Sequence, residues 1–265
     1  MMAMPMKSCA YVAALAALLI PSHGFTQNAP KKTPPVPRTA DGKPDLNGVW
    51  QPGSDKVGTW EEANQGVGVP EPGKGPRVTT GGPPPYQPWA AKLALDSYNL
   101  RRADEPVARC IPQLDLPGIA LYPIQFVQNA NMVVELIEPR HNFRIIPLNA
   151  KHPDDLDPSY VGDAVGRWEG DTLVVDVVGF KEQMEGQSIH SDALHVVERF
   201  TRVDYNTIEY EATSEDPKVL TKPFTIRSKI MLRPGTRIQE YVCEENNQDP
   251  SHFEQLLKEG VITRK

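Results

Sequence analysis

The sequence predicts a mainly β protein: an antiparallel β-barrel of about ten strands, with one internal helix and a short C-terminal helix. Beyond Cys110, apolar and polar residues alternate with a period of two through a series of short segments. Turn signals such as Asn129–Asn131 and Glu169–Asp171 separate these segments, so most neighbours should pair as hairpins. A barrel leaves no exposed sheet edge, which favours it over the alternative, a two-sheet β-sandwich.

The first element, residues 1–24, has the order of a cleavable secretory signal peptide. Lys7 precedes an apolar run from Cys9 to Ile20, and Pro21 and small residues follow it. The run is shorter than the roughly 20 residues that span a bilayer as a helix. We therefore expect a secreted or periplasmic protein with no integral membrane anchor.

Residues 25–44 form a Pro- and Lys-rich lead-in that we expect to be disordered, and residues 45–265 should form one β-barrel domain. Within that domain, residues 51–88 hold much of the glycine and proline and predict an irregular wrap. The chain has a net charge of -6, which becomes -7 without Lys7. An acidic chain of this kind gives no reason to expect nucleic acid as a partner.

The remaining elements follow from periodicity. The internal helix is predicted over Trp89 to Ala103, and the C-terminal helix runs from Asp249 to Lys258, with Gly260 as its stop. The predicted strands are Asp45 to Trp50, Tyr122 to Gln128, Met132 to Glu138, Phe143 to Leu148, Ala164 to Trp168, Thr172 to Val178, Leu194 to Val203, Thr207 to Thr213, Phe224 to Leu232 and Arg237 to Cys243.

Two of the three cysteines remain after the signal, Cys110 and Cys243. In an oxidising compartment two such thiols favour a disulfide over two buried free cysteines.

Asn47–Trp50 resembles the Gly-x-Trp entry strand of lipocalins and other calycins. That resemblance implies a Trp at the barrel floor and an Arg from a late strand covering it, for which Arg227 and Arg237 are candidates. The long coil after Trp50 departs from a lipocalin, in which a hairpin follows.

Four longer segments are similar to a widespread family of secreted bacterial proteins of largely unassigned function. The resemblance covers most of the chain after the signal and implies a kind of protein without a settled activity. Its segments are Thr39–Trp50, Gly166–Asp176, His190–Phe200 and Tyr241–Asn246.

The densest polar cluster lies where a loop enters the Leu194–Val203 strand. His190 and His195 are candidates for a catalytic base and acid, and Asp192 would orient one imidazole. Glu198 lies on an otherwise apolar row; if that row faces inward, the carboxylate needs a partner, with Arg144, Lys222 and Arg227 as candidates. The predicted substrate-binding residues are His141, Arg144, Glu198, Tyr210 and Lys222.

We expect no cofactor. A Zn site at His190, Asp192 and His195, with His141, is the alternative, although the spacing matches no helical ligand pair. The sequence has no Gly-x-Ser-x-Gly, no phosphate loop, no dinucleotide fingerprint and no His-Glu-x-x-His motif.

The sequence therefore predicts a small-molecule site on a barrel, binding a partly apolar molecule. Cofactor-independent acid/base catalysis, as in a lyase, hydratase, isomerase or non-covalent hydrolase, fits these side chains best. The alternatives are a non-catalytic small-molecule carrier of the cell envelope and a structural envelope protein.

Overall fold

A computed structural model describes residues 34–52, 57–59, 82–99, 105–113, 122–139, 142–186, 188–243, 245 and 249–261. All of them lie in the unit Thr33–Lys265. The predicted signal peptide and His141 fall outside the described residues, as does most of the predicted wrap.

Nine antiparallel strands form one nearly closed, barrel-shaped sheet in the order β4-β3-β2-β1-β9-β8-β7-β6-β5. Their bounds are β1 Gly48–Pro52, β2 Ile124–Gln128, β3 Met132–Ile137, β4 Asn142–Pro147, β5 Asp163–Glu169, β6 Thr172–Val178, β7 His195–Arg202, β8 Thr207–Glu215 and β9 Phe224–Leu232. Two helices, α1 (Pro88–Asn99) and α2 (Asp249–Lys258), and a short 3-10 helix (Pro106–Arg109) complete the described elements. The barrel prediction is confirmed.

The seam of the barrel lies between β4 and β5, the two ends of the sheet order. Leu148 bridges Gly166 in parallel, and the Asn149 N–H donates to the Gly166 carbonyl over 2.7 Å. A Cβ at Gly166 would lie 2.9 Å from side-chain carbons of both Ile146 and Leu148. Only glycine therefore permits the two strands to approach this closely.

The predicted strand Arg237–Cys243 is wrong: the described residues there are not in a strand. β9 pairs with β8 on one edge and with β1 on the other, so it has no free edge for a further strand. Cys243 is instead bonded to Cys110 at the end of the 3-10 helix, which confirms the predicted disulfide.

The interior is filled by large side chains contributed from all round the sheet. They include Trp50, Phe126, Phe200 and Tyr210, each 2% exposed or less. The expectation that Arg227 or Arg237 covers Trp50 is wrong. The residue over the Trp50 ring is Arg202, whose guanidinium carbon lies 5.0 Å from the ring centroid, whereas Arg227 pairs with Glu211 on the outside of the sheet.

Part of the lead-in is described and lies against the barrel. Arg38 makes a two-pronged ion pair with Asp171 in the β5–β6 turn, at 2.9 and 2.6 Å. None of the described helices has the length and apolar character needed to cross a membrane.

Candidate functional site

Four polar side chains meet on the outer face of β5, β6 and β7, near the end of the sheet where β5 and β7 begin. Asp163 and His195 are the first residues of β5 and β7, and Asp176 lies on β6. His152 comes from the connection between β4 and β5. Asp176 faces outward because its neighbours Val175 and Val177 belong to the barrel core.

The four side chains form a continuous imidazole–carboxylate chain. His195 Nε2 lies 2.6 Å from Asp176 Oδ1, and His152 Nε2 lies 3.1 Å from Asp176 Oδ2. His152 Nδ1 is 2.5 Å from Asp163 Oδ1. Each oxygen of Asp176 thus takes one imidazole nitrogen, and the imidazole of His152 is held between two carboxylates.

These contacts determine where each ring carries its protons. His195 donates from Nε2 to Asp176, so its neutral form has the lone pair at Nδ1, which has no hydrogen-bond partner among the described residues. His152 faces a carboxylate at both nitrogens, and only its imidazolium form donates to both. His195 is therefore the ring that can accept a proton from another molecule.

Burial raises the pKa of Asp176, but hydrogen bonds from His195 and His152 outweigh that effect, and the pKa lies below its ordinary value. Asp176 therefore remains a carboxylate at neutral pH and can stabilise a positive charge on His195. The His195 side chain is 39% exposed, against 20% for His152, so the chain of contacts opens to solvent at His195.

Two apolar side chains flank Asp176 on the neighbouring strands. Register places Val165 of β5 and Val197 of β7 directly opposite it, one on each side. Both valines are half-buried. A molecule that reached His195 would meet this apolar surface beside the charged groups.

The other two residues of the predicted catalytic cluster lie in different surroundings. His190 has Nδ1 3.1 Å from the Ser188 carbonyl and Nε2 3.1 Å from the Lys181 carbonyl, so both ring nitrogens are engaged by backbone. Asp192 pairs with Lys218 at 2.6 Å on the surface. The carboxylate that orients an imidazole is Asp176, not Asp192.

Three of the predicted substrate-binding residues lie together inside the barrel. Arg144 on β4 donates to Glu198 on β7, from Nη1 over 2.5 Å and from Nη2 over 3.1 Å, which confirms it as the expected partner of Glu198. Arg144 also donates to Glu135 on β3, from Nε over 2.7 Å and from Nη2. Tyr210 on β8 donates its hydroxyl to Glu198 Oε1 over 2.8 Å.

This buried cluster joins opposite walls of the barrel. Burial lowers the pKa of Arg144, but Glu135 and Glu198 raise it by more, and the pKa lies above its usual value. The pKa of Tyr210 is raised too, by burial first and then by the negative charge of Glu198. All four groups are 4% exposed or less, so they hold the walls together rather than meet a ligand at the surface.

The last two predicted binding residues do not join either group. Lys222 is exposed in the β8–β9 connection and does not point inward as a counter-charge. His141 lies outside the described residues.

Sequence reasoning missed Asp176, Asp163, His152 and Glu135. Asp176 carried a usable signal, because it is the one charged residue of the strand Thr172–Val178. His152 belongs to a loop whose many carboxylates made it look like an ordinary solvated connection. Its role depends on the path of that loop, which periodicity does not give.

Across the described ranges, no group of three or more His, Cys, Asp or Glu side chains is arranged to hold a metal ion. The three residues of the Zn alternative have separate partners: backbone carbonyls for His190, Lys218 for Asp192 and Asp176 for His195.

The described part of the chain also forms concave surfaces on the outside of the sheet, two of which are lined as follows. One, of about 530 Å³, is lined by charged side chains of β7, β8 and β9 such as Arg199, Glu211 and Lys229. The other, of about 310 Å³, lies beside the 3-10 helix and includes Tyr160 and Met184.

Comparisons with protein-family models, with curated proteins and with solved structures found no match to this chain.

Proposed function

We propose that this chain catalyses a proton transfer on a small, partly apolar molecule, without a cofactor, with His195 as the base and Asp176 as its orienting partner. The observation that carries the proposal is the 2.6 Å contact between His195 Nε2 and Asp176 Oδ1 beside a solvent-exposed ring. A carboxylate in this position fixes the tautomer and stabilises the imidazolium that forms.

In this scheme, Nδ1 of His195 takes a proton from a C–H or O–H group of the substrate. Asp176, kept ionised by its two imidazole neighbours, stabilises the charged ring until the proton returns to the product. His152, itself held by Asp163, contacts the other carboxylate oxygen of Asp176 and keeps that side chain in place. Val165 and Val197 supply the apolar surface for the substrate.

The disulfide supports a setting outside the cytoplasm, since such bonds persist in oxidising compartments. We therefore place the reaction in the periplasm or outside the cell. This setting is consistent with chemistry that uses side chains alone.

Deuterium exchange tests the proposal without a known substrate. Purified protein is incubated in D2O with a small-molecule extract of the periplasm, and mass spectrometry follows both deuterium incorporation and product formation. We expect His195→Gln to slow any wild-type conversion by roughly 100-fold or more. His252→Gln, which changes an exposed histidine on α2, is the matched control and should behave as wild type.

Two results would contradict catalysis at His195. Equal conversion by wild type and His195→Gln would show that the ring is not the base. A retained ligand that neither exchanges nor reacts would favour the carrier function.

Diethyl pyrocarbonate provides an independent measurement, since it acylates an accessible neutral imidazole nitrogen. Peptide mapping should find His195 modified well before His152, whose two nitrogens both face carboxylates. Faster modification of His152 would refute the assignment of the free lone pair to His195.

A further inference from the structure

The hairpin β3–β4 has charged side chains on its inner face and apolar side chains on its outer face, the reverse of what a sheet in water usually shows. The charged residues of β3 and β4, Glu135 and Arg144, face the barrel interior. The alternate positions of β3 and β4, which face outward, carry apolar side chains, and on β2 Val127 continues this surface while Gln125 borders it beside Leu136. We call this surface the apolar face; its seven residues are Val127, Met132, Val134, Leu136, Phe143, Ile145 and Pro147.

The register places these side chains in contiguous cross-strand rows. Val134 stands opposite Val127 of β2 on one side and Ile145 of β4 on the other. Leu136 is opposite Phe143 in the next row, and Met132 is opposite Pro147 in another. Directly opposed side chains in a sheet are neighbours, so the rows form one surface rather than scattered apolar residues.

This surface is open. Phe143 is 59% exposed and Ile145 is 52% exposed, and Val127 and Met132 are exposed as well. The seven side chains present on the order of 500 Å² of apolar surface, at the upper end of what a soluble monomer shows.

The rest of the sheet shows that an apolar exterior is not general in this protein. On the outer face of β7, β8 and β9, Arg199, Glu211 and Arg227 follow one another in a single cross-strand row. A sheet face that meets water usually has polar residues of this kind. The apolar face thus has the composition of a surface that is covered.

We propose that the apolar face is covered by the same face of a second copy of this chain, in a two-fold symmetric dimer with the two sheets packed face to face. Two such faces together bury on the order of 1,000 Å², about the lower limit for a specific interface. The outward positions of β2, β3 and β4 carry no charge, so two copies meet there without local repulsion.

The charge of the chain favours a second copy over a lipid surface as the partner of the apolar face, and it determines how dimerisation depends on salt. At a net charge of -6, the chain is repelled by anionic membranes. Two copies also repel each other at long range, and salt screens that repulsion. Dimerisation through an uncharged face should therefore strengthen as ionic strength rises, unlike association through ion pairs.

Sedimentation equilibrium of the purified, disulfide-bonded protein tests the proposal, over about 1 to 500 μM and at low and high salt, a range suited to a minimal interface. We expect a monomer–dimer equilibrium that tightens with salt. Ile145→Lys should weaken it at least tenfold. Val203→Lys, which places the same charge at an exposed valine in the β7–β8 turn, should leave it unchanged.

A second variant covers the case in which Ile145→Lys fails to fold. Phe143→Cys labelled with a nitroxide should show a concentration-dependent dipolar signal between copies. A label at Val203→Cys should report a longer separation.

Three results would overturn the proposal. One is a wild-type protein that stays monomeric at the highest concentration and salt. Another is a dimer that Ile145→Lys does not weaken. The third is flotation with phosphatidylcholine vesicles that depends on Ile145, which would identify a lipid surface as the occupant.

Discussion

Replacing Arg144 by methionine should destabilise this protein more than any surface substitution. Arg144 is the cation of a cluster in which Glu135 and Glu198 are both fully buried. Methionine has a similar length and fills the space, so the main change is the loss of positive charge. Two buried carboxylates then share the interior, and among the described residues the Tyr210 hydroxyl remains as a side-chain donor to Glu198.

The size of the effect follows from breaking a buried ion pair on one side, which costs about 3 to 5 kcal/mol. In a protein of this length each kcal/mol corresponds to about 2 to 4 °C, so the melting temperature should fall by about 10 °C. Circular dichroism melting at pH 7 measures it. Arg227→Met is the matched control, because Arg227 is exposed and its ion pair with Glu211 lies on the surface. The control should change stability by no more than about 1 kcal/mol.

If Arg144→Met melts within about 2 °C of the Arg227→Met control, less than 1 kcal/mol separates them. The buried cluster would then not be what holds β3 and β4 to β7 and β8.

Three further predictions concern other contacts. Tyr210→Phe should lower the free energy of unfolding in urea by about 1 to 3 kcal/mol, because it removes a buried hydrogen bond to a charged group. Burial and Glu198 raise the pKa of Tyr210, so the substitution should leave the tyrosinate absorbance of the folded protein below pH 10 unaltered. Lys218 lowers the pKa of Asp192, so the ion pair stabilises the fold above the ordinary aspartate pKa range, and this stabilisation is lost as the pH falls through the lowered pKa. Lys218→Ala should return the pKa of Asp192 toward its usual value, measured by a carboxyl ¹³C titration. Reducing the disulfide, which joins residues 133 apart, should cost about 4 to 5 kcal/mol of unfolding free energy, and an unchanged urea midpoint in reductant would contradict this.

Strand positions were the most predictable part of the fold. The bounds of β6 and β9 match the sequence prediction at both ends, because glycine and proline turn residues flank both strands. Alternation also placed Glu198 on an otherwise apolar row, and because a buried carboxylate needs a cation, Arg144 was one of three candidate partners. Strand pairing across the whole sheet was not predictable, and this is why the strand Arg237–Cys243 was wrong.

The candidate site was predictable only in part. His195 followed from the local sequence, but its partner Asp176 lies on the preceding strand, and their contact depends on register. Two of the four segments that resemble a bacterial family contain one of these residues each, Asp176 in one and His195 in the other, but the resemblance assigned no contact between them. His152 arrives by a loop whose course is set by tertiary packing, which a single sequence does not reveal.

The position of β1 constrains the order in which the barrel assembles. The strands β2 to β4 and β5 to β9 are two runs of consecutive hairpins, and each can form locally as the chain emerges. β1 joins the two runs, yet its partners come later: Gln51, at its end, receives a hydrogen bond from Arg233, 182 residues away. The barrel core therefore cannot enclose Trp50 until almost the whole chain has been synthesised. A protein folding in this order has to keep one edge of its first strand unpaired until β9 has been made, even after β2 has paired with the other edge, which makes that edge the natural target for a chaperone and β1 one of the last elements to become protected from hydrogen exchange.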